Sequence, residues 1–164
     1  MLDTTEASVN SALQRARAKL QSRTPSGPGA LERAPLPGSV VERDLLGQLA
    51  DAFEDGDADR IVALLTDEAL LTMPPEPGEC HGKEAISAYL HRLFSRTVDR
   101  PTRLVPTRAN GQPAFGRYIG DSDSPIFRFD CLLVLGLDGN RVSGLTRFAD
   151  ITILPAFGLP QVLP

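Results

Sequence analysis

Two short stretches carry residue types able to do chemistry. In "SPIFRFDCLLVL", Asp130 stands among apolar residues, and a carboxyl group in apolar surroundings can have a raised pKa and act as a general base. Period-two alternation puts Ile126, Arg128, Asp130, Leu132 and Val134 on one strand face, and Phe127, Phe129, Cys131, Leu133 and Leu135 on the other. The competing assignment for Asp130 is an ion pair with Arg128 or Arg147, because structural pairs perturb carboxylates as readily as active sites do. In "PPEPGECHG", Glu76, Glu79, Cys80 and His81 lie close together. Adjacent Cys and His point apart on an extended chain, and no second ligand pair follows at zinc spacing. No metal or cofactor is therefore expected. His91 reads as a surface or rim histidine. Asp130 is left as the one candidate catalytic residue, without a complete catalytic set around it.

These residues need a scaffold, and hydrophobic periodicity outlines it. Leu45, Leu46, Leu49 and Phe53 form the stripe of a first helix ended by Gly56; Asp57 then caps a second helix with Ile61, Val62, Leu64 and Leu65. "EALLTMPP" reads as a short strand stopped by Pro74 and Pro75. "GKEAISAYLHRLFSRT" is a third helix. The strands "TRLVPTRA", "PAFGRYIG", "IFRFDCLLVLGL" and "RVSGLTRFADITIL" follow, separated by Asn110-Gly111, by 121–125, and by Asp138-Gly139. Helices followed by an antiparallel meander make an α+β domain. Phe53, Met73, Tyr89, Phe115, Tyr118 and Phe148 can line a cavity in it, with Asp130 and Arg147 as polar contacts, or can simply fill the core.

Upstream of this domain the character of the chain changes. Residues 3 to 23 pattern as a helix with Val9, Leu13, Ala16 and Leu20 on a narrow stripe, net positive within a 164-residue chain of net charge −4. Residues 24 to 39 hold four prolines and three glycines and read as a flexible linker. The division is thus 1–23, 24–39 and 40–164. No stretch has the length and apolarity of a membrane span or the plan of a secretory signal, so free thiols at Cys80 and Cys131 and a cytoplasmic home are expected.

The order helix, helix, strand, helix and curved antiparallel sheet resembles the nuclear-transport-factor-like cone fold, in particular its SnoaL-like branch. The segments "AFEDGDADRIVALLTDEALLTMPP", "GKEAISAYL", "DGNRVSGLTRF" and "PAFGLPQVLP" look like the C-terminal SnoaL-like extension of a subgroup of bacterial extracytoplasmic-function sigma factors. "TTEASVNSALQRARAKL" in turn resembles the recognition helix of the sigma factor's helix-turn-helix domain. The resemblance implies a role in promoter-specific transcription initiation with RNA polymerase core and promoter DNA as partners. Ser8, Asn10 and Ser11 would then face base edges, and Arg15, Arg17 and Lys19 phosphates. The cone would act as an in-cis regulatory or ligand-sensing module taking a small molecule, and by analogy could pair as a homodimer through its sheet. The alternative is a SnoaL-like isomerase, cyclase or hydrolase. On the sigma-factor reading the chain looks like a fragment of a longer protein.

Overall fold

The computed structural model describes residues 14–15, 34–97, 100–121 and 124–164. Most of the expected opening helix and linker, and with them Ser8, Asn10, Ser11, Arg17 and Lys19, lie outside the described residues; Arg15 is helical and exposed, and 34–39 is neither helix nor strand.

Helix α1, Val40–Glu54, starts at Ser39, whose hydroxyl accepts from the Glu42 amide at 3.3 Å. The Glu42 side chain accepts from the Gly38 amide at 2.8 Å and pairs with Arg108, although Glu42 itself is buried. Leu45, Leu49, Ala52 and Phe53 recur on one helical stripe and enter the core. Asp57 caps the short helix α2, Ala58–Ala63, by accepting from the Arg60 amide at 3.0 Å. This helix is shorter than its periodicity suggests. Leu64 ends it and Leu65 already belongs to strand β1, Leu65–Thr72. The reason is competition for carbonyls: Val142 N–H donates to Leu64 O at 2.9 Å, and Arg141 reaches both Ala63 O and Leu65 O. Strand β2, Glu79–His81, leads into helix α3, Gly82–Ser95, which buries Ile86, Leu90 and Phe94. Each fully buried Leu or Ile contributes about 1.5–3 kcal/mol by leaving water.

The remaining strands are β3 Thr102–Ala109, β4 Gln112–Asp121, β5 Ser124–Asp138, β6 Arg141–Phe148 and β7 Val162–Leu163. Asn110 (φ 51°) and Gly111 (φ 82°) both take the left-handed conformation that a two-residue hairpin between β3 and β4 demands. The sheet order is β2-β1-β6-β5-β4-β3, with β7 also on β5. The sheet is mixed, not wholly antiparallel, because β1 and β6 run parallel. One face packs against all three helices, making the α+β cone; we call it the helix face.

The last strand stops earlier than expected. After Phe148, Asp150 accepts from the Thr152 amide (2.9 Å) and hydroxyl (2.7 Å), opening a 3-10 helix over Ile151–Phe157 in which Pro155 has no N–H for a sheet ladder. Leu154 and Leu159 from this tail pack on Ala109, Ala114 and Leu132, so a second apolar cluster covers the sheet's outer face. That is the face through which the analogy would pair two copies.

Alternation along β5 is broken as well. Arg117 opposes Cys131 while Tyr118 opposes Phe129, so Asp130 is an extra residue in the ladder, a β-bulge. Cys131, Leu133 and Leu135 therefore face the helices as expected, but Phe129 joins Leu132 and Val134 on the outer face.

The Glu42 pair ties the start of α1 to β3, and its removal tests that tie. Glu42→Ala should lower unfolding free energy by about 1–3 kcal/mol in urea titrations, and Glu42→Gln by less, since it keeps an acceptor for Gly38. A loss below about 0.5 kcal/mol for Glu42→Ala would mark the pair as energetically idle.

Candidate functional site

The bulge brings charged side chains together on the helix face. Asp130 Oδ2 accepts from Arg117 Nη1 at 3.0 Å, and Asp130 Oδ1 stands 3.6 Å from Arg147 Nη2. Arg117 alternates with Phe115 along β4, and Arg147 opposes Leu133 in the β5–β6 ladder, so both guanidinium groups arrive on the side lined by Phe115 and Leu133. The Arg117 side chain is 2% exposed, against 22% for Arg147 and 23% for Asp130. The cluster thus reaches solvent past Asp130 and Arg147 and ends inside the core at Arg117.

Two further titratable groups face it. Burial, reinforced by the Asp130 charge and tempered by Arg117 and Arg147, leaves the Cys131 thiol pushed up to about 12. Burial also raises the pKa of the Tyr89 hydroxyl on α3, with the Arg147 charge acting against it. Cys131 is consequently a protonated, inert thiol at neutral pH. Asp130 has each carboxylate oxygen turned to a cation, which leaves little of it free to take a substrate proton.

Sequence reasoning anticipated the Arg147 partner of Asp130 and missed the closer one, Arg117. Its signal was legible in hindsight: "PAFGRYIG" holds a single charge that alternation places beside Phe115. Arg128, the other expected partner, is exposed. The residues expected to line a cavity are divided by the sheet. Tyr89, Phe115, Asp130 and Arg147 converge on the helix face, and Phe53 joins the same core, where it meets Phe94 edge-on at 6.1 Å. Tyr118 and Phe148 belong to the outer side: Tyr118 packs edge-on against Phe129 at 5.7 Å and donates to Pro160 O at 2.8 Å, and Phe148 packs against the tail cluster. Met73 follows β1 and lies over Gly78.

In β2, Cys80 turns toward the core while His81 and Glu79 face outward and pair with each other at 3.0 Å. Glu76 is exposed. His91 is exposed and pairs with Asp59 at 3.2 Å. Among the described residues, no three His, Cys, Asp or Glu side chains are grouped to hold a metal ion, and no helix is long and apolar enough to cross a membrane. A surface cleft of about 620 Å³ lies elsewhere, between the α1–α2 turn and the end of α3, with Glu54, His91 and Arg100 on its walls. Its charged walls are already engaged, Glu54 with the Leu104 amide, His91 with Asp59 and Arg100 with Asp121, whereas the bulge cluster gathers two cations about one carboxylate and is the stronger candidate site.

Residues 46–144 match the family model described as a SnoaL-like domain. The chain belongs to the SnoaL-like domain family. Over its whole length this SnoaL-like chain is also 40% identical to the ECF RNA polymerase sigma factor SigG of two strains of Mycobacterium tuberculosis; the alignment takes in 99% of the chain and 42% of the relative. The chain therefore spans less than half the length of the curated relatives it matches. Among solved structures, an LEH-like epoxide hydrolase of M. tuberculosis superposes with a TM-score of 0.52 at 15% identity, covering 71% of this chain and 87% of that one. A polyketide cyclase of Sinorhizobium meliloti, so described provisionally, gives 0.52 at 12% identity, with 63% and 93% covered. At these identities the likeness establishes the fold.

Thiol chemistry checks the geometry of the SnoaL-like core. At neutral pH a disulfide reagent should modify Cys80 readily and Cys131 only after denaturation. The native Cys131 pKa lies above its ordinary 9.0, so between about pH 9 and 12 the unfolded chain binds fewer protons than the native one, and stability falls as pH rises through that window. Cys131→Ala should flatten part of this alkaline decline. An unchanged decline in that variant would place the thiol in a solvated setting instead.

Proposed function

We propose that this chain is the SnoaL-like regulatory part of an extracytoplasmic-function sigma factor, acting in cis on promoter binding by the rest of its protein. The observation that carries this reading is the 40% identity to SigG across 99% of the chain, which includes the basic opening segment and the Pro/Gly-rich stretch as well as the cone. Within it, Ser8, Asn10, Ser11, Arg15, Arg17 and Lys19 are the residues of a recognition helix, and RNA polymerase core and promoter DNA are partners of the full-length protein in the cytoplasm. A lone helix of this kind binds DNA weakly and without specificity, so the function needs the longer chain.

The physical basis is effective concentration. A folded domain on a linker of about sixteen residues is held near its own DNA-binding region at millimolar effective concentration, so a weak contact suffices to bias an open or closed state. A ligand that binds only one of those states shifts the balance by its differential affinity.

The second reading is a SnoaL-like isomerase, cyclase or hydrolase, with Asp130 as base. It draws on the apolar surroundings of Asp130 and is opposed by the two guanidinium groups that already occupy its oxygens.

Deleting residues 40–164 from the full-length protein separates the readings. In-cis regulation predicts a change in promoter output and polymerase affinity of roughly 5–150-fold, the span of ordinary coupling energies, measured by in vitro transcription. Unchanged output together with unchanged affinity would remove the regulatory role.

A further inference from the structure

The charges in the bulge cluster do not cancel. Two guanidinium groups, of Arg117 and Arg147, meet one carboxylate, that of Asp130. Arg117 spends Nη1 on Asp130, and among the described residues its buried Nε and Nη2 find no protein acceptor; neither does the buried Nε of Arg147. Buried donors are ordinarily satisfied, so each of these calls for an acceptor.

The pattern of free donors says which acceptor. The N–H bonds of Nε and Nη2 run parallel along one edge of a guanidinium plane, at the spacing of the two oxygens of a carboxylate, and a bidentate pair forms there. A residual charge of one cation suits a monoanion better than a phosphate dianion. On the same face of the sheet, Phe115 two residues before Arg117 and Leu133 two after Cys131 belong to the apolar core, and the Tyr89 hydroxyl, which senses the charges of Arg117 and Arg147, is a further polar group. Access runs past Arg147 and Asp130, the two partly exposed members.

We propose that the helix face holds a binding site for a small organic acid, whose carboxylate sits on the free Nε–Nη2 edge of Arg117 and reaches Arg147 Nε, with its apolar body against Phe115 and Tyr89. Binding itself rests on this cluster alone; its use as a signal to the sigma factor rests on the in-cis reading above.

The test uses the whole 164-residue chain, with benzoate and hexanoate as probes and benzamide and hexanamide as neutral counterparts, followed by calorimetry and thermal shift at constant ionic strength. At least one acid should bind about tenfold or more tighter than its amide and raise Tm, as a charge-assisted bidentate pair requires. Arg147→Gln, at a partly exposed position where folding is readily confirmed by circular dichroism, should weaken the acid about tenfold. Asp130→Asn keeps the shape but removes the competing charge, so it should tighten acid binding. Equal binding of acid and amide, no binding of either acid up to about 10 mM (weaker than roughly millimolar affinity), or unchanged binding in Arg147→Gln would overturn the site. Acid binding with no effect of deleting 40–164 on transcription would leave the site standing and remove its regulatory role.

Discussion

The buried ion pair between Arg117 and Asp130 is the constraint on which the helix side of this domain depends. A charge as deeply enclosed as Arg117 needs a partner within hydrogen-bond reach. Strict alternation along β5 would put Asp130 and Cys131 on opposite faces, leaving one of them outside the core. The bulge resolves the conflict by setting Asp130 and Cys131 together against Arg117. The ladder then resumes with Leu133 and Leu135 in the helix-side core and Leu132 and Val134 beneath the C-terminal tail.

That device explains what could and could not be read from the sequence. Helices α1 and α3 were legible because their apolar residues recur at helical spacing over several turns, and β3 to its ends because turn residues bracket it. The end of α2 was not, since Leu64 and Leu65 continue a helical stripe and are diverted by the Val142 amide and the Arg141 guanidinium at the start of β6, the latter 76 residues beyond Leu65 in the chain. After Phe148 the sequence predicts continued strand because Ile151, Thr152 and Ile153 are good strand formers; the Asp150 cap and Pro155 overrule them and a 3-10 helix forms. For the site, Asp130 stands out as a carboxylate among apolar residues and Arg147 as a cation able to pair with it, yet a bulge changes phase without altering composition. Hence strict alternation puts both Asp130 and Phe129 on the wrong face, and the partnership of Asp130 with Arg117, which joins neighbouring strands, stays hidden.

The two faces of the sheet consequently do different jobs. The outer one is sealed by the chain's own tail, with Leu154, Leu159 and the Tyr118 hydroxyl bond to Pro160 closing it. The helix side carries polarity in its interior, with two cations about one carboxylate and buried donors that find no protein acceptor among the described residues. Such a site is costly to keep for stability alone, because apolar residues of similar volume would pack there at least as well. On the in-cis reading proposed above, an interior that answers to a small acid would give the chain a means of reporting it to the rest of its protein.

The most direct measurement is a crystal structure of the chain grown with 4-bromobenzoate, in which anomalous scattering locates the bromine directly. In that crystal β5 should be bulged at Asp130, with a carboxylate in the plane of the Arg117 guanidinium on its Nε–Nη2 edge and bromine toward Phe115. A regular β5 ladder, or an Arg117 edge closed by protein atoms with the bromine elsewhere, would contradict the proposed site.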